Sequence, residues 1–120
     1  MSTSSHKRNP RRLYNRPIGL LCDSAYTIEQ IVEVSEQGLM FRSDRPLREN
    51  QCILVNFFVP KSGLIIVSGV IQWLKDSEKG PHKFFGVVFG KLQFEQRRAL
   101  RSYIAEKPAH EKELEKTKFL

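Results

Sequence analysis

Two arginines, Arg12 and Arg16, stand four residues apart just before the first apolar run of the chain. In an extended or a helical segment, residues at that spacing share a side, so both guanidiniums can turn towards one ligand. The planar fork of arginine bonds two acceptors at once, on a phosphate or on O6 and N7 of a guanine. Its flat face also stacks on a purine. A charge-assisted hydrogen bond of this kind contributes about 1.5–3 kcal/mol. Spacing alone is more simply read as a solvated basic arm.

A second group closes a stretch of strand character, Glu33-Val34-Ser35-Glu36-Gln37-Gly38. Alternation puts Ile28, Val32 and Val34 on one face and Glu29, Glu33 and Ser35 on the other, away from the core. A carboxylate can accept from N1–H and N2–H of a guanine together, and a hydroxyl beside it can donate or accept. Gly38 can supply a positive φ to the turn and leaves the backbone open to close approach. Taken alone, this group is a strand end followed by a glycine turn.

The charge is unevenly placed. The net charge is +7, and Lys7, Arg8, Arg11, Arg12 and Arg16 fall within the first sixteen residues, which contain no acid. The remainder is close to neutral. A basic arm on a nearly neutral body attracts phosphate, whether on a nucleic acid, a lipid or a nucleotide.

Other chemistries find little support. His6, His82 and His110 are scattered, and no HExxH, GxSxG, Walker loop or GxGxxG is present, so an enzyme is not expected. No Cys and His stand at ligand spacing, so no metal site is expected. Cys22 and Cys52 are expected as buried, reduced thiols in apolar strands. The N-terminus has charge without an apolar h-region, and no apolar run reaches about 18 residues, so neither a signal peptide nor a membrane span is expected. The expected location is the cytoplasm.

These groups must be positioned by strands. Val, Ile and Phe are plentiful, which favours strands over helices. Apolar or alternating runs at 18–22, 27–35, 39–43, 52–59, 64–74 and 83–89, separated by polar or glycine-containing turns, predict six strands. Residues 27–43 are expected to form one hairpin. The segment 11–16, between Pro10 and Pro17, is expected to be a loop or turn. Residues 92–106 predict a helix with Phe94, Leu100, Tyr103 and Ile104 on one side, ended by Pro108. That helix is expected to cover the strand at 83–89, which is apolar on both faces. The fold class is all-β with a terminal helix, a six-stranded antiparallel β-barrel. The expected divisions are a basic arm over 1–10, the barrel domain with its closing helix over 11–106, and a charged tail over 107–120.

Together the two groups resemble the PilZ domain family, whose signature is an RxxxR segment followed about 20 residues later by [D/N]xSxxG. Gly69-Val70-Ile71-Gln72-Trp73 is similar to the family's GxVxW strand, and Gly86-Val87-Val88-Phe89 to its GVxF strand. The resemblance covers residues 8 to 106. It implies a bacterial receptor for cyclic di-GMP, with no other cofactor. Arg12 and Arg16 would grip guanine edges and phosphates, and Ser35 and Gly38 would line the second guanine. Arg11 would stack on a base, a position that in the family accompanies two intercalated ligand molecules. The arm would fold over the barrel on binding and be sensed by an effector protein. Trp73 is expected in the core, with stacking on the ligand as the alternative. The sequence departs from the signature at Glu33, one methylene longer than the family's Asp or Asn. A PilZ-like interaction module without nucleotide binding is therefore the second reading. A nucleic-acid binder on an OB-like barrel is the third. It is disfavoured because the aromatics sit in continuous apolar runs rather than spread over an open face.

Overall fold

The computed structural model describes residues 10–106. Seven strands precede one helix: β1 (Arg11–Leu13), β2 (Pro17–Cys22), β3 (Ala25–Ser35), β4 (Gly38–Ser43), β5 (Cys52–Val59), β6 (Gly63–Asp76), β7 (Lys83–Phe89) and α1 (Phe94–Ala105). The sheet runs β2-β5-β6-β7-β4-β3 and closes through β3 back to β2, with β1 added along β3. All pairings are antiparallel. The predicted six-stranded barrel with a terminal helix is therefore present, with one additional strand. Closure pairs every barrel strand on both edges.

That additional strand corrects the loop expected at 11–16. Arg11, Arg12 and Leu13 pair with Ser35, Val34 and Glu33. The two flanking prolines exclude helix, as argued, but an extended conformation satisfies them equally. The chain then passes beside β3 through Tyr14 N–H donating to the Val32 carbonyl and Ile31 N–H donating to the Arg16 carbonyl, both at 2.9 Å.

Tight turns fix the registers. Asp23 and Ser24, both at positive φ (51° and 65°), join β2 to β3, the conformation that matches strand twist in a two-residue hairpin. The predicted hairpin over 27–43 forms as β3 and β4. Here Ser35 Oγ accepts from the N–H groups of Gln37 and Gly38 at 3.3 and 3.2 Å. Gly38 does not take the positive φ expected of it. It is required instead because a Cβ there would lie 1.8 Å from the Val87 carbonyl oxygen on β7.

Bulges interrupt two strands. β3 slips by one residue against β4 between Ile31 and Glu33, and β6 slips against β7 between Ile71 and Trp73. A bulge inserts one residue and reverses the inside/outside phase. The buried residues of β3 are consequently Ile31 and Val34, three apart, whereas Ile28 is 63% exposed. This overturns the single alternation of Ile28, Val32 and Val34. In β6 the bulge turns Trp73 outwards, at 39% exposure, and corrects its expected place in the core.

The core comprises Ile18, Leu20, Ile31, Phe41, Val55, Phe57, Ile71 and Phe85 among others, with Phe41 stacked on Phe85 and Phe57 on Phe89. Leu100 and Ile104 bury the inner side of α1, while Phe94 is exposed, contrary to its expected place on the packed side. The helix packs on β1, β3 and β5. It does not cover β7 as expected. The outer surface of β7 is small at Gly86 and shielded by the Trp73 ring, so helical cover is not needed there. Cys22 is buried and Cys52 is exposed, both free. Cys52 therefore corrects half of the expectation of two buried thiols. The two are neighbours across the barrel wall, with the Cys22 thiol donating to the Cys52 carbonyl at 3.6 Å.

Candidate ligand-binding cleft

One row of cross-strand neighbours builds the site. Glu33 on β3 faces Met40 on β4, Met40 faces Gly86 on β7, and Gly86 faces Trp73 on β6. The bulges of β3 and β6 lie immediately before Glu33 and Trp73, and so aim both side chains outwards over this row. Gly86 forms the floor. A Cβ there would lie 2.0 Å from Trp73 Nε1, so the indole lies directly on the glycine backbone. The result is an open cleft of about 200 Å³ lined by Arg11, Glu33, Ser35, Gly38, Gln72 and Trp73, together with Gln37, Met40 and Val88.

Charge in the cleft is concentrated on one side. Arg11 Nη1 donates to Glu33 Oε1 at 2.5 Å, with the two side chains 23% and 14% exposed. Strand pairing produces this contact, since Arg11 sits opposite Ser35 and Glu33 is two residues along the same face. Outside the cleft, Glu36 in the β3–β4 turn bonds Arg101 of α1 at 2.9 Å and holds its guanidinium pKa up.

The signature arginines lie elsewhere. Successive residues of a strand point to opposite faces, so Arg12 faces the helix while Arg11 faces the cleft. The Arg12 guanidinium lies 3.9 Å from the centre of the Tyr103 ring and donates to the Tyr103 carbonyl at 3.0 Å. The Arg16 guanidinium is 5.8 Å from the centre of the Tyr14 ring. Tyr14 and Tyr103 meet edge-to-face at 5.9 Å. Arg12 and Arg16 thus lie against different members of this tyrosine pair, and neither lines the cleft. Tyr14 is 2% exposed and its hydroxyl donates to the Phe58 carbonyl. Burial pushes the phenol pKa up, partly offset by the Arg16 charge.

Of the residues singled out from the sequence, the structure thus gathers Arg11, Glu33, Ser35, Gly38 and Trp73 into one cleft and places Arg12 and Arg16 at the helix side. Gln37, Met40 and Gln72 also line the cleft and were not expected. Gln37, inside the Glu33–Gly38 group, and Gln72, inside the GxVxW-like stretch, carried a sequence signal; Met40 carried none. Among the described residues, no three His, Cys, Asp or Glu side chains cluster as a metal site, and no helix is long and apolar enough to cross a membrane.

The class of the protein is thus a closed antiparallel β-barrel with a flanking basic strand and an outward cleft at its bulges. A model of the PilZ domain matches residues 5–106, and the chain belongs to that family. PilZ domains are cyclic di-GMP receptors and adaptors rather than enzymes. No curated protein sequence matches the chain closely enough to count as a relative. Among solved structures, the PilZ domain of Escherichia coli YcgR with c-di-GMP superposes with a TM-score of 0.66 at 14% identity, over 96% of this chain and 99% of that one. The Bacillus subtilis inhibitor of motility MotI gives 0.75 at 10% identity, over 83% and 50%. Borreliella burgdorferi PlzA, solved in complex with c-di-GMP, gives 0.61 at 15% identity, over 84% and 42%. At such identities the likeness is one of fold. The chain spans half the length of the MotI chain it matches.

Proposed function

We propose that this chain is a cyclic di-GMP receptor that acts in the bacterial cytoplasm as an adaptor without catalytic activity. The observation that carries the reading is the cleft, where one guanidinium, one carboxylate, one hydroxyl and one indole converge around a glycine floor. A guanine edge needs paired acceptors for N1–H and N2–H, which Glu33 supplies. Its O6 and N7 need a bidentate donor, which arginine supplies. Its face needs a flat partner, which Trp73 or a guanidinium supplies.

In this reading Arg11, Glu33, Ser35, Gly38 and Trp73 hold one guanine. Arg12 and Arg16 leave the tyrosine pair to hold phosphate and the second guanine. Their release draws the segment preceding β1 over the barrel, and an effector protein senses the new surface. The cost of leaving Tyr103 is offset by charge-assisted bonds to phosphate, each worth about 1.5–3 kcal/mol.

One observation favours a second reading, an interaction module that binds no nucleotide. Glu33 and Arg11 already satisfy each other at 2.5 Å, and a ligand must break that pair to use either group. Calorimetric titration with cyclic di-GMP, with GTP and a short oligonucleotide as controls, separates the readings. Micromolar or tighter binding of the cyclic dinucleotide alone supports the receptor and gives the ligand count. No heat at high protein concentration rejects it in favour of the interaction module. Equal binding of the oligonucleotide, falling steeply with salt, would instead mark a nucleic-acid binder.

A further inference from the structure

The barrel wall away from the cleft lacks the polar exterior of a solvated sheet. Along β2, β5 and β6 the outward positions are Pro17, Gly19 and Leu21, then Cys52, Leu54, Asn56 and Phe58, then Leu64, Ile66, Ser68 and Val70. None is charged, in a chain that is 28% charged. A sheet with one face in water normally alternates apolar-in with polar-out. Here the outer side is mostly apolar as well, broken only by Asn56 and Ser68.

The exposed groups are neighbours. Phe58 faces Leu64, Leu54 faces Leu21 on one side and Ser68 on the other, and Tyr26 faces Leu21. Tyr26 reaches across Gly19 to within 3.4 Å of the Asn56 amide, and a Cβ on Gly19 would collide with its hydroxyl. Leu64, Ile28, Tyr26, Ile66 and Phe58 are 61, 63, 56, 54 and 51% exposed, and Leu21, Leu54 and Val70 about 40%. Together they present on the order of 800 Å² of mostly apolar surface, which is what each partner contributes to a standard specific interface. Monomers rarely expose a contiguous apolar patch above a few hundred Å².

We propose that this face is the interface of a homodimer, two copies of the chain packed barrel wall to barrel wall about a two-fold axis. Three observations select a second copy as the occupant. The area matches one side of a standard interface. The face is uncharged on a chain of net charge +7, so it is where two like-charged copies approach without opposing fixed charges, while a polyanion finds no cation there. The outward series Leu64, Ile66, Ser68 and Val70 of β6 sets one small side chain among bulky ones, which puts knob and recess on one surface, as a self-complementary two-fold contact requires. Closure of the barrel leaves no free barrel edge for strand addition, so association runs face to face. The inference is independent of what the cleft binds.

Sedimentation velocity of the full chain without nucleotide, from about 1 µM to about 1 mM, tests it. The expected result is a monomer–dimer equilibrium that persists or tightens when NaCl is raised from about 0.1 to about 1 M. Ile66→Glu should weaken dimerisation at least about 100-fold, the effect of a charge at an interface centre, with an unchanged circular dichroism spectrum. Leu64→Glu provides the same test should Ile66→Glu misfold. Arg97→Glu, on exposed α1, should leave the dimer unchanged. A monomer throughout the concentration range overturns the proposal. So does a dimer that dissolves in salt, or one that neither glutamate variant weakens.

Discussion

The Arg12 guanidinium caps the ring and the carbonyl of Tyr103, at 3.9 Å and 3.0 Å, and so ties the first strand to the last turns of the only described helix. A residue of the ligand-binding signature is thereby also a structural clamp. Any ligand that recruits Arg12 competes with this clamp, which couples occupancy of the site to the packing of α1.

Arg12→Ala is therefore expected to have two effects. Affinity for cyclic di-GMP should fall more than about tenfold, or about 1.4 kcal/mol. Stability should fall by about 1–2 kcal/mol, from the lost hydrogen bond and the cation–π contact. Calorimetry and urea denaturation measure the two separately. An unchanged affinity in a destabilised protein would leave Arg12 with the clamp alone.

Glu33→Asp tests the departure from the family's signature. Shortening the side chain draws the carboxylate back from Arg11 Nη1 and loosens a pair that the ligand must otherwise break. The expected outcome is cyclic di-GMP binding tighter by a few-fold, within about 1 kcal/mol. A sharp loss would show that the cleft is built around the longer side chain.

Trp73 is the single tryptophan, so intrinsic fluorescence reports directly on the cleft. Ligand stacking should shift and quench its emission, and Trp73→Ala should weaken binding by about 1–3 kcal/mol, the value of one base–aromatic stack. Gly86→Ala supplies an orthogonal check. The new methyl would collide with the indole, so the ring must swing off the floor. Red-shifted emission in the free protein and weaker binding are expected. Fluorescence indifferent to saturating ligand would remove Trp73 from the site.

Tyr14 sets an alkaline limit. Burial raises its pKa above the ordinary value of 10.0, so the folded state holds the proton more tightly than the unfolded state. The associated stability is fully present below about pH 10 and is lost as the pH climbs through the raised folded value. Tyr14→Phe should lose about 1 kcal/mol at neutral pH, because the Phe58 carbonyl loses its donor. It should also decline less steeply with pH above 10. Parallel declines for both proteins in denaturation experiments would remove Tyr14 from the alkaline transition.

Short-range chemistry was legible before the structure. Alternation and turn residues located all six barrel strands and the helix, because a strand's apolar period and a glycine turn are local properties of the chain. The motifs pointed to the family. Two kinds of feature were not legible. Bulges depend on the register of the partner strand, and a one-residue slip reverses every later side chain, which is why Ile28 and Trp73 were assigned to the wrong face. Strand pairing decided the rest. Arg11 and Arg12 read as adjacent members of one basic run that both meet the ligand, yet pairing with β3 sends Arg11 to Glu33 and Arg12 to Tyr103. The sequence by itself determined that this is a small β-barrel of the PilZ family carrying guanidiniums, a carboxylate and a hydroxyl near its first strands. Only the tertiary structure decided which of them share a cleft, because that depends on contacts between segments distant in the chain.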